Sequence, residues 1–195
     1  MSGTSRASRL TQRDLVIRAR SGDHGAFSLL ATSLVGRLFG IARLILRDDG
    51  RAEDAVQDAL VLAWLDIRGL RDPDRFDAWL NRLLVRSCYR SARAERTRRR
   101  VEVPLLELDR KPEADLESSI AMRDQLERGF RRLSTEHRAV LVMHHYLDLS
   151  DGEAALVLDV PLGMFKSRLS RAAHALRAAV DADSRRPAST GEFIA

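Results

Sequence analysis

Lys166, Ser167, Ser170 and Arg171 place four hydrogen-bond donors within six residues. Phe165, Leu169, Ala172 and Leu176 recur through the same stretch at intervals of four, three and four, so helical spacing puts them together on another face. A helix that packs its back and offers donors at its front fits the major groove of DNA. A solvated basic surface has the same pattern. A second cluster is Arg82, Arg86, Arg90 and Arg93, spaced four, four and three. Like charges at that spacing repel along one helix face, so an anionic partner explains them better than solvent does. A third is Glu53, Asp54, Gln57 and Asp58, acidic and amide groups beside an apolar stripe. Such a stripe can form the polar rim around a docked helix, or simply a solvated face.

The elements that must carry these groups read as helices throughout. Ser150 followed by Glu153 is a capping box, in which each side chain satisfies a free N–H at a helix start. Asp159-Val160-Pro161 breaks that short helix, because Asp tolerates a left-handed turn and Pro begins a helix more easily than it continues one. Residues 149–176 therefore read as helix, sharp turn, helix. Upstream, Leu15, Val16, Ala19, Phe27, Leu30, Leu34, Leu38, Ile41, Leu44 and Ile45 recur at helical spacing, with a break at Ser21-Gly22-Asp23. Asp48-Asp49-Gly50 marks a second break. Residues 51–67 follow as a helix with Ala55, Leu60 and Trp64 on its packed side. Gly69 to Asp74 is a loop, and Phe76 to about Arg93 a further helix. Helix returns from about Ile120 to Leu133, and Ser134 caps another over 136–147.

The expected fold is all-α: two small helical domains joined by a flexible linker, the C-terminal one containing the helix-turn-helix. The boundaries are a polar tail at 1–11, a first domain at 12–94, a charged linker at 95–119, a second domain at 120–180 and a polar tail at 181–195. The linker carries Arg96, Arg98, Arg99 and Arg100, then Pro104 and Pro112, and loses helical periodicity.

Composition narrows the function classes. The 195 residues are 45% hydrophobic and 31% charged with both signs mixed, which supports packed cores. Net charge is +5, and Lys111 and Lys166 are the only lysines, so the basic excess is arginine. Arginine forks to phosphate and to guanine edges; codon bias in a GC-rich genome produces the same excess. The single cysteine, Cys88, excludes an intramolecular disulfide and reads as a small buried hydrophobe. No signal peptide is evident at the N-terminus, and no window reads as the roughly 18 apolar residues of a membrane helix. A cytoplasmic protein without membrane insertion is expected. Adjacent His144 and His145 have no third ligand at useful spacing. No nucleophilic triad, Gly-rich phosphate loop or paired-carboxylate motif stands out, so no enzyme, metal or cofactor is expected.

Several of these stretches resemble one family. Val160 to Ala172 is similar to the "IPVGTVKSRLSRA" helix of sigma-70 factors, closest to the extracytoplasmic-function (ECF) group, with nine of thirteen positions identical. Ala52 to Ala59 resembles the "AEDLVQEVF" helix, and Phe76 to Leu83 the "FRAWLxRI" helix that follows it. Together they cover most of residues 12–178. The resemblance implies an alternative sigma factor that binds core RNA polymerase and starts transcription at promoter DNA, with an anti-sigma factor as a further partner. It implies polymerase binding by Glu53, Asp54, Gln57 and Asp58. For the −10 element it implies the loop and helix bearing Arg68, Arg71, Asp72, Asp74, Arg75, Asn81, Arg82, Arg86, Tyr89, Arg90 and Arg93. For the −35 element it implies Lys166, Ser167, Ser170 and Arg171 towards bases, with Arg168 and His174 towards phosphates. The chain departs from the pattern at Asp159, where a turn Gly is usual, and at Met164-Phe165, which replace Thr-Val. Arg86 and Arg90 replace Asn and Asp, which favours phosphate binding there. Trp64, Phe76 and Trp79 read as core, and Tyr89 as the aromatic placed to touch single-stranded DNA. A conventional helix-turn-helix regulator, acting on DNA without polymerase, is the competing expectation.

Overall fold

The structure is a computed structural model and describes residues 11–101 and 119–184. Eight α-helices are present among these residues, with no strand. They divide into two compact units, separated between Ser91 and Ala92.

In the first unit, α1 (Gln12–Arg20) begins with a capping box between Thr11 and Asp14. The turn falls at Ser21-Gly22-Asp23 as expected. Gly22 sits at φ 95°, a conformation side chains disfavour. Asp23 then caps α2 (His24–Leu46), accepting from the Ala26 N–H at 3.0 Å and pairing with Arg18 at 2.6 Å. These two contacts hold the Asp23 carboxyl below its ordinary pKa. The next break lies at Arg47 and Asp48, one residue earlier than expected. Arg47 takes the left-handed conformation, and the Asp48 side chain accepts from the Arg51 N–H at 2.8 Å. Asp49 and Gly50 thereby enter the first turn of α3 (Asp49–Asp66).

α2 packs against both α1 and α3. The buried stripe of α3 is Ala52, Ala55, Val56, Ala59 and Ala63. Small residues there let the α2 backbone approach closely, while Leu38, Ile41 and Ile45 of α2 are buried. Two 3₁₀ turns, Ile67–Gly69 and Pro73–Arg75, lead into α4 (Phe76–Val101). Phe76, Leu80, Leu84, Val85 and Cys88 are the inward face of α4. Leu44, one of the apolar positions at helical spacing, is 41% exposed. α2 is also long and apolar enough to cross a membrane, which corrects the expectation that no window qualifies. It carries Arg37 and Arg43, paired with Asp77 and Asp49, and packs against α1 and α3.

In the second unit, α8 (Leu162–Ser184) is the element against which α5 (Ser119–Arg131), α6 (Thr135–Leu141) and α7 (Asp151–Leu158) all pack. Ser134 caps α6, as expected from its position. The helix does not run on to 147: after Leu141 it widens into a π-type turn over Val142–Tyr146, closed by Leu147 N–H to Val142 O at 2.9 Å. Arg138 is buried, donating to the Leu133 carbonyl and the Thr135 hydroxyl, and so staples the α5–α6 turn.

α4 continues to Val101, past Arg93, where the helix is expected to end, and past the expected domain boundary at 94. α8 continues to Ser184, past residue 180. The remaining parts of the expected tails and linker, 1–10, 102–118 and 185–195, lie outside the described residues.

At Gly129, α5 and α8 approach closely. A Cβ built there would lie 2.8 Å from Val180 Cγ2 and 3.3 Å from Leu176 Cδ1. Alanine in a helix interior normally gains about 1 kcal/mol over glycine. Overpacking costs about 1–3 kcal/mol and opposes that gain. Gly129→Ala is therefore expected to lower the melting temperature of the second unit. A raised melting temperature would mean the two helices pack less closely than this.

Candidate nucleic-acid interface and docking groove

The helix-turn-helix forms as the sequence requires. Ser150 Oγ accepts from the Glu153 N–H at 3.3 Å, and the Ser150 N–H donates to Glu153 Oε2 at 3.2 Å. Asp159 closes α7 in the left-handed conformation, φ 53°, so it fills the position where the sequence pattern has glycine. The Pro161 carbonyl accepts from the N–H groups of Met164 and Phe165 and closes the first turn of α8. Phe165 and Ala172 are fully buried, with Leu169 and Leu176 half-buried beside them. Lys166, Ser167, Ser170, Arg171 and His174 are all exposed, and Arg168 is half-buried. Arg171 Nε donates to the Ser167 carbonyl at 3.2 Å, which lays the guanidinium along the helix instead of leaving it to swing. The structure therefore brings the expected donors onto the outer side of one helix.

The loop before α4 is pinned at both ends. Ile67, Leu70 and Phe76 are buried, while Arg68, Arg71, Asp72, Asp74 and Arg75 are exposed. The two carboxylates have work within the loop. Asp72 caps the second 3₁₀ turn through the Asp74 N–H at 3.0 Å and pairs with Arg75 at 3.6 Å. Asp74 pairs with Arg13 of α1 at 3.1 Å. Their geometry orders the loop that presents Arg71 and Arg75.

Along α4, Arg86, Arg90 and Arg93 are exposed, and Arg82 and Tyr89 are half-buried on the same side. Asn81 departs from its expected role. It is 7% exposed, and Arg37 Nη1 donates to its Oδ1 at 3.5 Å, so it lies in the α2–α4 contact rather than facing outward. Trp79 departs the other way. Phe76 is core as expected, but Trp79 is half-exposed and shares the helix side of Arg82 and Arg86. An aromatic among cations is the composition of a surface that stacks an unpaired base.

A groove of about 660 Å³ runs between α2 and α3. Phe27, Val35 and Phe39 of α2 face Leu60, Val61, Trp64 and Leu65 of α3 across it, and Glu53 and Gln57 stand on its rim. Val61 is 52% and Leu65 71% exposed, a large apolar area for a surface. Trp64 stacks on His24 and Phe27, with ring centroids 4.2 and 5.1 Å apart, and so is held at one end of the groove rather than in the core. The four polar residues of α3 thus divide. Glu53 and Gln57 border the groove, while Asp54 and Asp58 are exposed and do not line it.

Two other expectations concern chemistry. Cys88 is buried, and burial pushes its thiol up to about 12, which leaves it unreactive near neutrality. His144 Nδ1 lies 3.3 Å from Asp151 Oδ1, and among the described residues no group of three or more His, Cys, Asp or Glu side chains is placed to hold a metal.

Sigma-70 region 2 matches residues 30–98, and Sigma-70 region 4 matches residues 123–176. The ECF RNA polymerase sigma factor SigM of Mycobacterium tuberculosis is 32% identical over 153 residues, covering 78% of this chain and 76% of that protein. The RNA polymerase sigma factor CnrH of Cupriavidus metallidurans is 33% identical, covering 88% of this chain and 95% of that protein. The solved structure of CnrH in complex with the cytosolic domain of CnrY superimposes with a TM-score of 0.54 at 28% identity, covering 88% of this chain and 98% of that one. The sigma factor RpoE of Bartonella quintana, solved with the anti-sigma factor NepR, shares the fold with a TM-score of 0.60 at 22% identity, covering 80% and 98%. With one region matched in each half of the chain and relatives of this similarity spanning most of it, the chain belongs to the sigma-70 family of RNA polymerase sigma factors, in its extracytoplasmic-function group.

Proposed function

We propose that this chain docks core RNA polymerase on the α2–α3 groove and directs it to promoters bearing a −10 and a −35 element. The observation that carries this reading is the pairing, in one chain, of an exposed apolar groove with a donor-bearing helix-turn-helix. A helix laid into the groove would bury Val61, Leu65 and Trp64 and meet Glu53 and Gln57 at its rim. The −10 strand would run along Arg82, Arg86, Arg90 and Arg93, with Arg71 and Arg75 presented by the ordered loop. Extruding a base costs a few kcal/mol, which stacking and phosphate contacts offset. Trp79 and Tyr89 are the aromatic groups on that side of α4. The edges of −35 bases would meet Ser167, Ser170, Lys166 and Arg171, and phosphates Arg168 and His174.

A regulator acting on DNA alone would need neither the groove nor the arginine face of α4. RNA synthesis itself belongs to the polymerase in this reading, and the work takes place in the cytoplasm, where chromosome and polymerase meet. CnrH is solved with the cytosolic domain of CnrY, and RpoE with an anti-sigma factor. By likeness, this chain takes an anti-sigma partner that covers its docking and DNA faces when it is not on polymerase.

Run-off transcription with purified chain and core polymerase on genomic fragments tests the reading. A gel shift should show weak promoter binding by the chain alone and strong binding once core enzyme is added. Arg171→Ala is expected to lower transcription from a selected promoter about tenfold, the loss of one bidentate base contact, while core binding is unchanged. Loss of core binding in the same variant would remove Arg171 from the −35 surface.

A further inference from the structure

We propose that Met164 is a specificity-determining residue that reads a thymine in the −35 element. The inference rests on the reading of α8 as the helix that enters the major groove. Met164 is the third residue of α8 and is 47% exposed, whereas its neighbour Phe165 is fully buried. The core of this unit therefore does not use the Met164 side chain. At helical spacing, Met164 shares a side with Ser167, Arg168 and Arg171, one turn and two turns on. Leu162, also exposed, lies round the other side of the axis.

Long helical side chains lean toward the N-terminus of their helix. Met164 thus reaches past its own turn to the tip, which is the part of a recognition helix that meets base edges. Arg168 Nη2 lies 3.9 Å from Met164 Sδ, a contact that lays the thioether along the outer side of the helix. The result is one flexible apolar group set among donors. In the major groove the only apolar group larger than a C–H hydrogen on a base-pair edge is the thymine C5-methyl group. A thioether pressed against it removes water from both, and donors on either side fix the register.

The test uses the full chain assembled with core polymerase. A promoter pool randomised in the −35 element is selected with wild-type holoenzyme, and each thymine of the selected element is then replaced singly by deoxyuridine, which removes only the methyl group. One replacement is expected to weaken wild-type binding about fourfold, the value of one buried methyl-sized group. The same replacement should leave Met164→Ala unaffected, and Met164→Leu, which keeps an apolar reach, should retain the loss. The inference is overturned if Met164→Ala loses as much as wild type, if it weakens every promoter equally, or if no replacement affects wild type. A pool from which wild-type holoenzyme enriches no −35 sequence would overturn the groove-entering role of α8, and the role of Met164 with it.

Discussion

Val61→Asp is expected to weaken binding to core polymerase about 100-fold and to leave the free protein folded. Val61 is 52% exposed on the groove side of α3, so the substitution removes little from the core. Once a partner helix covers the groove, the new carboxylate must lose its water against Phe27, Val35 and Leu65, with no cation among the lining residues to receive it. Central apolar positions in such interfaces cost about 2–4 kcal/mol when disrupted, and a loss of about 100-fold falls within that range. Asp54→Ala supplies the contrast. Asp54 is also exposed on the same helix but outside the groove, so its binding should change less than about twofold, as at a solvated rim position. Co-elution with core enzyme measures both, and Trp64, held at the end of the groove, supplies a fluorescence signal for the same event. Equal effects from the two variants would place the docking surface elsewhere.

That contrast also shows what could be read from the sequence and what could not. The acidic and amide residues of α3 stand out by type, so Glu53, Asp54, Gln57 and Asp58 were legible as a group. Which of them border a groove depends on how α2 crosses α3, and that depends on the alanine stripe at 52, 55, 59 and 63. Small residues made the close contact, leaving Leu60 and Trp64 half-exposed where periodicity alone put them inside. Asn81 and Trp79 exchanged expectations for a related reason. A polar residue turned inward because Arg37, forty-four positions earlier, reached it, and an aromatic turned outward because α4 had enough aliphatic residues to fill its inner face. Neither event has a local signature.

Local signals held where the physics is local. The caps at Ser134 and Ser150, the turn at Gly22 and the break at Asp159 each involve groups within four residues of one another, and each formed where the residue types placed it. The widened turn at Val142–Tyr146 was not legible, because one extra residue in a helical turn leaves the residue types unchanged. The close approach at Gly129 was equally silent, since the atoms that fill the space belong to Leu176 and Val180.

Phe165→Ala should have the largest effect on stability. The ring is fully buried at the start of α8, the helix on which α5, α6 and α7 all pack. Truncating a buried phenylalanine costs about 3–5 kcal/mol, and a unit this small has little more than about 5 kcal/mol to lose. The second unit is therefore expected to be largely unfolded at 37 °C, with its melting transition displaced by 15 °C or more, at roughly 4–8 °C per kcal/mol for a small domain. The first unit keeps its own core around Leu38, Ile41, Phe76 and Leu80, so its transition should remain. Holoenzyme assembled with this variant separates the two halves of the proposed function. Binding to core polymerase through the groove should persist, while transcription that depends on the −35 element should be lost. If core binding fell in step with melting of the second unit, the groove would not be a sufficient docking site. If melting barely moved, α8 would not be packed through the face that leaves Lys166, Ser167, Ser170 and Arg171 outward, and the assignment of that outer face to DNA would lose its structural basis.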